Sequence, residues 1–204
     1  MKLLQLFSVA LLASELAAGA AMAKPAFTTK YVYYMVSGDT PQDIYRSMLS
    51  KGPRVNGAKA YAATSAVSAQ DGKLLQGQSC KIEDYRLKID FEIKLPKIRN
   101  ESVLSASDRK RWQAFARFLK RHEETHRTIW LGCAADLERK VHAINAKSCA
   151  DADANSAKLW QATRKACSKK HGAFDAAEQK KLMLHPFVQL VYRRSQQTHA
   201  AKVH

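Results

Sequence analysis

Residues 112–133 read Trp-Gln-Ala-Phe-Ala-Arg-Phe-Leu-Lys-Arg-His-Glu-Glu-Thr-His-Arg-Thr-Ile-Trp-Leu-Gly-Cys. Trp112, Phe115, Leu119, His122, His126, Ile129 and Cys133 recur at intervals of three and four. That spacing predicts an α-helix with these residues on one face. The inward stripe therefore carries two histidines as well as apolar groups. Residues four apart project side by side, so the two imidazoles can reach one cation. Glu123 lies on the flank of the stripe. In an HExxH zinc site a carboxylate at that position serves as general base toward water.

The helical pattern extends in both directions. Ser105 and Asp108 are spaced as a capping box, and periodicity then runs from about Asp108 to Ile144. This is long for one globular helix, and a bend is expected near Gly132. Residues 147–154 are polar and read as a turn. A second helix is expected from about Asn155. A further helical segment, either separate from the second helix or continuous with it, spans Asp175 to Leu184, with Pro186 ending it. Residues 195–204 read as a mobile basic tail.

Upstream of Ser105 the period changes. Residues 29–37 are β-branched and aromatic and predict a strand, ended by Gly38-Asp39. Thr40 and Asp43 cap a short helix to about Ser50, which Gly52-Pro53 stops. Asn56-Gly57 marks a turn, residues 59–68 a second strand and residues 70–78 a loop. From 80 to 95 the chain alternates. Tyr85, Leu87, Ile89, Phe91, Ile93 and Leu95 share one face, and Arg86, Lys88, Asp90, Glu92 and Lys94 the other. This predicts a half-buried strand, placed at a sheet edge and closed by Pro96. Strands precede helices, so the fold class is α+β. The expected architecture is one zincin-like domain over residues 24–194. An antiparallel or mixed N-terminal sheet with a short helix is followed by a long HExxH helix in an antiparallel helical hairpin.

The first 23 residues have a basic start at Lys2, an apolar run from Leu3 to Ala13, and small residues at Ala21-Met22-Ala23. This is the pattern of a secretory signal peptide, and it predicts a secreted or periplasmic chain. The apolar run is too short for a spanning helix, and no later segment is long enough either. The formal charge is +16. Such a charge favours acidic partners, including an anionic envelope surface. Basic clusters are not interleaved with aromatic residues, and no nucleic-acid motif is present, so nucleic acid is not an expected partner.

Cys80, Cys133, Cys149 and Cys167 make an even set without CxxC spacing, which in an oxidising compartment reads as two disulfides. Cys149 and Cys167 lie at opposite ends of one predicted helix, over roughly 20 Å apart and beyond bonding reach. In a hairpin turning near residue 150, Cys133 and Cys167 face each other. The expected pairs are Cys133–Cys167 and Cys80–Cys149. The same mirror places residue 174 opposite His126 and residue 178 opposite His122. His171, Asp175 and Glu178 are then level with the histidines, and any of them is a candidate third ligand. His142, His185, His199 and His204 read as surface or structural groups. Tyr33, Tyr34 and His171 are the candidate oxyanion donors.

The chain resembles a bacterial family of predicted secreted zinc-dependent proteases, catalogued as a domain of unknown function. The resembling stretches are Tyr33 to Thr40, Ile44 to Met48, Gly52 to Gly57, Leu95-Pro96, Trp112 and His122 to His126. The resemblance implies Zn2+ at His122 and His126, with Glu123 catalytic. Many members carry Tyr-Asp-x-x-Thr-x-His-Gly near the C-terminus. Here Phe174-Asp175 matches only its start, which puts Asp175 first among the third ligands, ahead of Glu178 and His171. The expected activity is hydrolysis of a peptide or protein substrate. The alternatives are a non-catalytic zinc-stabilised envelope protein that binds anionic surfaces, and another zinc hydrolase such as a cell-wall amidase. An extended substrate has two candidate strands to pair with, residues 80–95 and residues 59–68.

Overall fold

The computed structural model describes residues 25–200. The expected signal peptide and residues 201–204 lie outside them. The protein is α+β. Strands β1 (Ala26–Val36), β4 (Ala63–Gln76) and β5 (Cys80–Ile98) form a mixed sheet in the order β1-β5-β4. β1 runs parallel to β5, and β4 runs antiparallel to it. The short pair β2 (Arg54–Val55) and β3 (Ala58–Lys59) turns at Asn56-Gly57. Both turn residues have positive φ, 49° and 82°, as a two-residue hairpin turn requires. Four α-helices follow the same chain order: α1 (Pro41–Lys51), α2 (Ala106–His142), α3 (Cys149–Met183) and α4 (Pro186–Ala200).

β5 is the central strand, not the edge. Its alternation holds, with Tyr85 to Leu95 buried at every second residue and the charged partners outside. At Asp84 the phase slips by one residue. Asp84 has φ 53°, and this returns Ile82 and Cys80 to the buried face. β4 answers with a register shift between Asp71 and Lys73. The expected loop at 70–78 is therefore mostly strand. Its polar composition hid a long two-stranded arm whose outer face is solvated. Pro96 does not close β5 either. Pairing with β4 stops at Lys94, and beyond it β5 has β1 alone as neighbour. A missing N–H is tolerable there.

The helix caps explain the boundaries. Thr40 accepts a hydrogen bond from the Asp43 N–H at 3.2 Å, and Ser105 from the Asp108 N–H at 3.1 Å. Ser148 does the same for Asp151 at 3.1 Å, so α3 begins at Cys149, inside the expected turn, and runs unbroken to Met183. α2 is one helix of 37 residues with no break at Gly132. α3 ends at Met183, ahead of Pro186 as expected, and Pro186 then opens α4, because proline fits the first turn, where no intrahelical N–H bond is needed. α4 extends to Ala200, so residues 195–200 of the expected tail are helical.

α2 lies along the buried face of β5 and makes two apolar clusters. Trp112, Phe115 and Leu119 pack with Ile93, Leu95, Ile98 and α1 residues Ile44 and Met48. Ala134, Leu137 and Val141 pack with Tyr85, Leu87, Ile89 and Phe91. Both expected disulfides are present, Cys80–Cys149 and Cys133–Cys167, with Cα–Cα distances of 5.0 and 6.0 Å. They are consistent with an oxidising compartment. Among the described residues no helix is long and apolar enough to cross a membrane.

One polar contact locks α2 to β5. β1 pairing begins at Lys88. One residue earlier, Leu87 donates its N–H to Glu138 Oε1 at 2.6 Å, and Glu138 is 5% exposed. Removing the acceptor strands a buried donor. Glu138→Ala is expected to lower stability by about 1–3 kcal/mol in urea unfolding, with Glu138→Gln losing less because it keeps an acceptor oxygen.

Candidate metal centre

α2 and α3 touch along residue pairs that run in opposite chain directions. Cys133 is bonded to Cys167, and the His126 ring lies 5.1 Å from Phe174. This register brings Asp175 of α3 over the two histidines of α2. Asp175 Oδ1 is 3.2 Å from His122 Nε2 and 3.0 Å from His126 Nε2, and the two Nε2 atoms are 3.1 Å apart. Four tetrahedral ligands held at roughly 2.0–2.1 Å from an ion stand roughly 3.3–3.4 Å from one another. The observed triangle is close to one face of such a tetrahedron. A single proton can bridge one pair of these atoms, whereas one cation can satisfy all three lone pairs. The residues therefore fit a divalent cation of the size of zinc.

The charge state fits as well. Burial holds both imidazoles below the ordinary histidine pKa and outweighs the upward pull of the Asp175 carboxylate. Neutral imidazole is the ligating form. Phe174 stacks on His122 with ring centroids 4.7 Å apart and meets His126 edge-on, so both imidazole rings are held by apolar contact.

The other two candidate ligands border the cluster without joining the triangle, and Glu178 lines the same cleft. Glu178 accepts from Lys181 Nζ at 2.6 Å and is outside the cluster. His171 sits behind His126, with its Nδ1 2.8 Å from His126 Nδ1. Among the described residues, the grouping of potential ligand atoms is His122, His126 and Asp175.

Glu123 faces a different way from its neighbours. It is 5% exposed, more buried than either histidine, and points at the sheet. Thr64 of β4 donates through its hydroxyl to Glu123 Oε2 at 2.8 Å and to the Glu123 carbonyl at 3.0 Å. Burial pushes the Glu123 carboxyl up to about 7, partly offset by the Thr64 hydrogen bond. The next residue, Glu124, accepts from the Tyr31 hydroxyl at 2.5 Å.

A cleft of about 420 Å³ opens over these groups. Its lining includes His122, Glu123, His126 and Asp175 together with Tyr61, Ala62 and Ala63, which lead into β4. Tyr33 and Tyr34 do not reach it. Tyr33 is half exposed under Lys97, and the Tyr34 hydroxyl donates to the Tyr61 carbonyl at 2.6 Å. The tyrosine at the cleft is Tyr61, with its hydroxyl 2.5 Å from that of Tyr45. Neither Thr64 nor Tyr61 carries a local sequence signal. Their roles come from the start of β4 lying across from the middle of α2.

Residues 31–182 match the family described as "Bacterial protein of unknown function (DUF922)". The chain belongs to this family. The matched region reaches from β1 nearly to the end of α3, so the family domain contains the HExxH turn, Thr64, His171 and Asp175, while α4 lies beyond it. No curated protein and no solved structure matches the chain.

The geometry separates the candidate ligands experimentally. Loss of a hydrogen-bond partner behind a ligand typically costs roughly 10–100-fold in metal affinity, so loss of a ligand should cost at least that. In equilibrium dialysis against Zn2+, Asp175→Ala is expected to bind far more weakly than the parent, and Glu178→Ala nearly as tightly. The reverse order would remove Asp175 from the site.

Proposed function

We propose that the protein is an exported zinc-dependent metallopeptidase of zincin-like organisation. The observation that carries this reading is the triangle of His122 Nε2, His126 Nε2 and Asp175 Oδ1 beside a buried carboxyl, Glu123, in one cleft. Export is supported by the amino-terminal sequence pattern and by the two disulfides.

His122, His126 and Asp175 would hold the ion, leaving the cleft side for water and substrate. Bound zinc supplies Lewis acidity to a carbonyl and lowers the pKa of water. Glu123 accepts the proton of the attacking water and returns it to the departing amine. Thr64 holds one Glu123 oxygen by its hydroxyl, which orients the carboxylate and leaves the second oxygen for the proton. A carboxyl pushed up to about 7 is matched to proton transfer near neutrality.

The substrate side follows from the sheet. From Lys88 to Lys94 β5 is paired on both sides, so that stretch cannot receive a peptide strand. β4 has an open side along Ala63–Gln76, and its beginning borders the cleft. An extended polypeptide pairing there would pass the ion. The wall between Tyr61 and Leu182 is mainly apolar, which suits an apolar side chain next to the cleaved bond.

Glu123→Gln tests the catalytic step. It keeps the shape and the Thr64 contact but cannot take a proton. The expected result is unchanged zinc content, measured by elemental analysis, with peptide hydrolysis reduced by roughly 10²–10⁴-fold. Equal turnover by Glu123→Gln and the parent would contradict the role, and a zinc-loaded parent inactive on denatured protein and peptide libraries would contradict the peptidase reading.

A further inference from the structure

We propose that His171 is a positioning residue. It holds His126 in the tautomer and orientation that aim Nε2 at the cation. The inference rests on the metal reading above and adds a residue that touches neither ion nor substrate.

The His126 ring presents its two nitrogens to different partners. Nε2 points at Asp175 and His122, while Nδ1 lies 2.8 Å from Nδ1 of His171. A neutral imidazole that ligates through Nε2 carries its proton on Nδ1. His126 Nδ1–H must therefore donate, and His171 Nδ1 must be the bare acceptor. The proton of neutral His171 is then on Nε2. That atom faces the sulfur of Cys167 at 3.7 Å, a weak acceptor one helical turn earlier on α3. Every polar atom of both rings has a defined role in this one arrangement of protons.

The backbone holds the pair in place. His171 and Asp175 are four residues apart on α3, as His122 and His126 are on α2. The Cys133–Cys167 bond joins the two helices next to His171 and fixes the relative height of the two pairs. Trp130 also packs on the His171 ring, with centroids 5.3 Å apart, and restricts its rotation. A carboxylate or a backbone carbonyl usually stands behind a ligating histidine. A neutral imidazole here orients the ligand without adding a second negative charge, which leaves Asp175 as the anion of the cluster.

Two substitutions separate positioning from packing. Asn places an amide oxygen near the position of His171 Nδ1, and Phe fills the volume without an acceptor. Zn2+ affinity is read by competition with a chromophoric chelator, and melting temperature is read on the metal-free proteins. His171→Phe is expected to lose roughly 10–100-fold in affinity. His171→Asn should recover most of that loss, and all three metal-free proteins should melt together. Unchanged affinity in His171→Phe would overturn the proposal. So would equal losses in both variants, which would assign His171 to packing. A parent that binds no Zn2+ would overturn the metal reading itself, and this role with it.

Discussion

The packing of α2 against the buried face of β5 is the constraint on which the rest of this structure depends. β5 presents a row of apolar side chains, and α2 covers it in two stretches separated by about four turns of helix. The first stretch ends at Leu119, and the second begins near Cys133 and Ala134. The HExxH turn lies in the gap. There the helix does not need to bury apolar groups, and it can aim polar ones. Glu123 points at β4 and receives the Thr64 hydroxyl, while His122 and His126 point at α3. The polar site is thus placed on a rigid element by apolar packing at both of its ends, which suits groups that must hold position to within fractions of an ångström.

α3 completes the site but is not held by a core. Of its 35 residues only Ala152, Ser156 and Cys167 are buried. Such a helix gains little from apolar burial, and its register must be fixed by other means. The two disulfides supply this. Cys80–Cys149 anchors its start to the sheet, and Cys133–Cys167 pins its middle to α2. For closed loops of 69 and 34 residues the chain-entropy model assigns about 4 kcal/mol to each. The ring contacts of Phe174 with both histidines then set the rotation that brings Asp175 into place.

Much of this was legible in the amino-acid order, because it depends on short-range periodicity. The three-and-four spacing from Trp112 to Cys133 and the alternation from Tyr85 to Leu95 identify the two elements that form the core. The mirror about residue 150 identifies both disulfides and puts Asp175 level with the histidines. What escaped depends on long-range pairing. Nothing local distinguishes a central strand from an edge strand when one face is solvated, so β5 was misplaced. The 70–78 segment reads as a loop because Leu74 and Leu75 are its only apolar residues. Ser148 and Asp151 are spaced as a cap, but the polar run around them read as a turn. Thr64, Tyr61 and Glu138 acquire their partners 59, 16 and 51 residues away, beyond the reach of any motif.

We propose one zinc ion held between two helices by His122, His126 and Asp175. Anomalous diffraction at the zinc edge, from crystals grown with Zn2+, tests it directly. The account predicts a single strong peak roughly 2.0–2.2 Å from His122 Nε2, His126 Nε2 and an Asp175 carboxylate oxygen. A peak coordinated by Glu178 or His171 in place of Asp175, or no peak between α2 and α3, would contradict it.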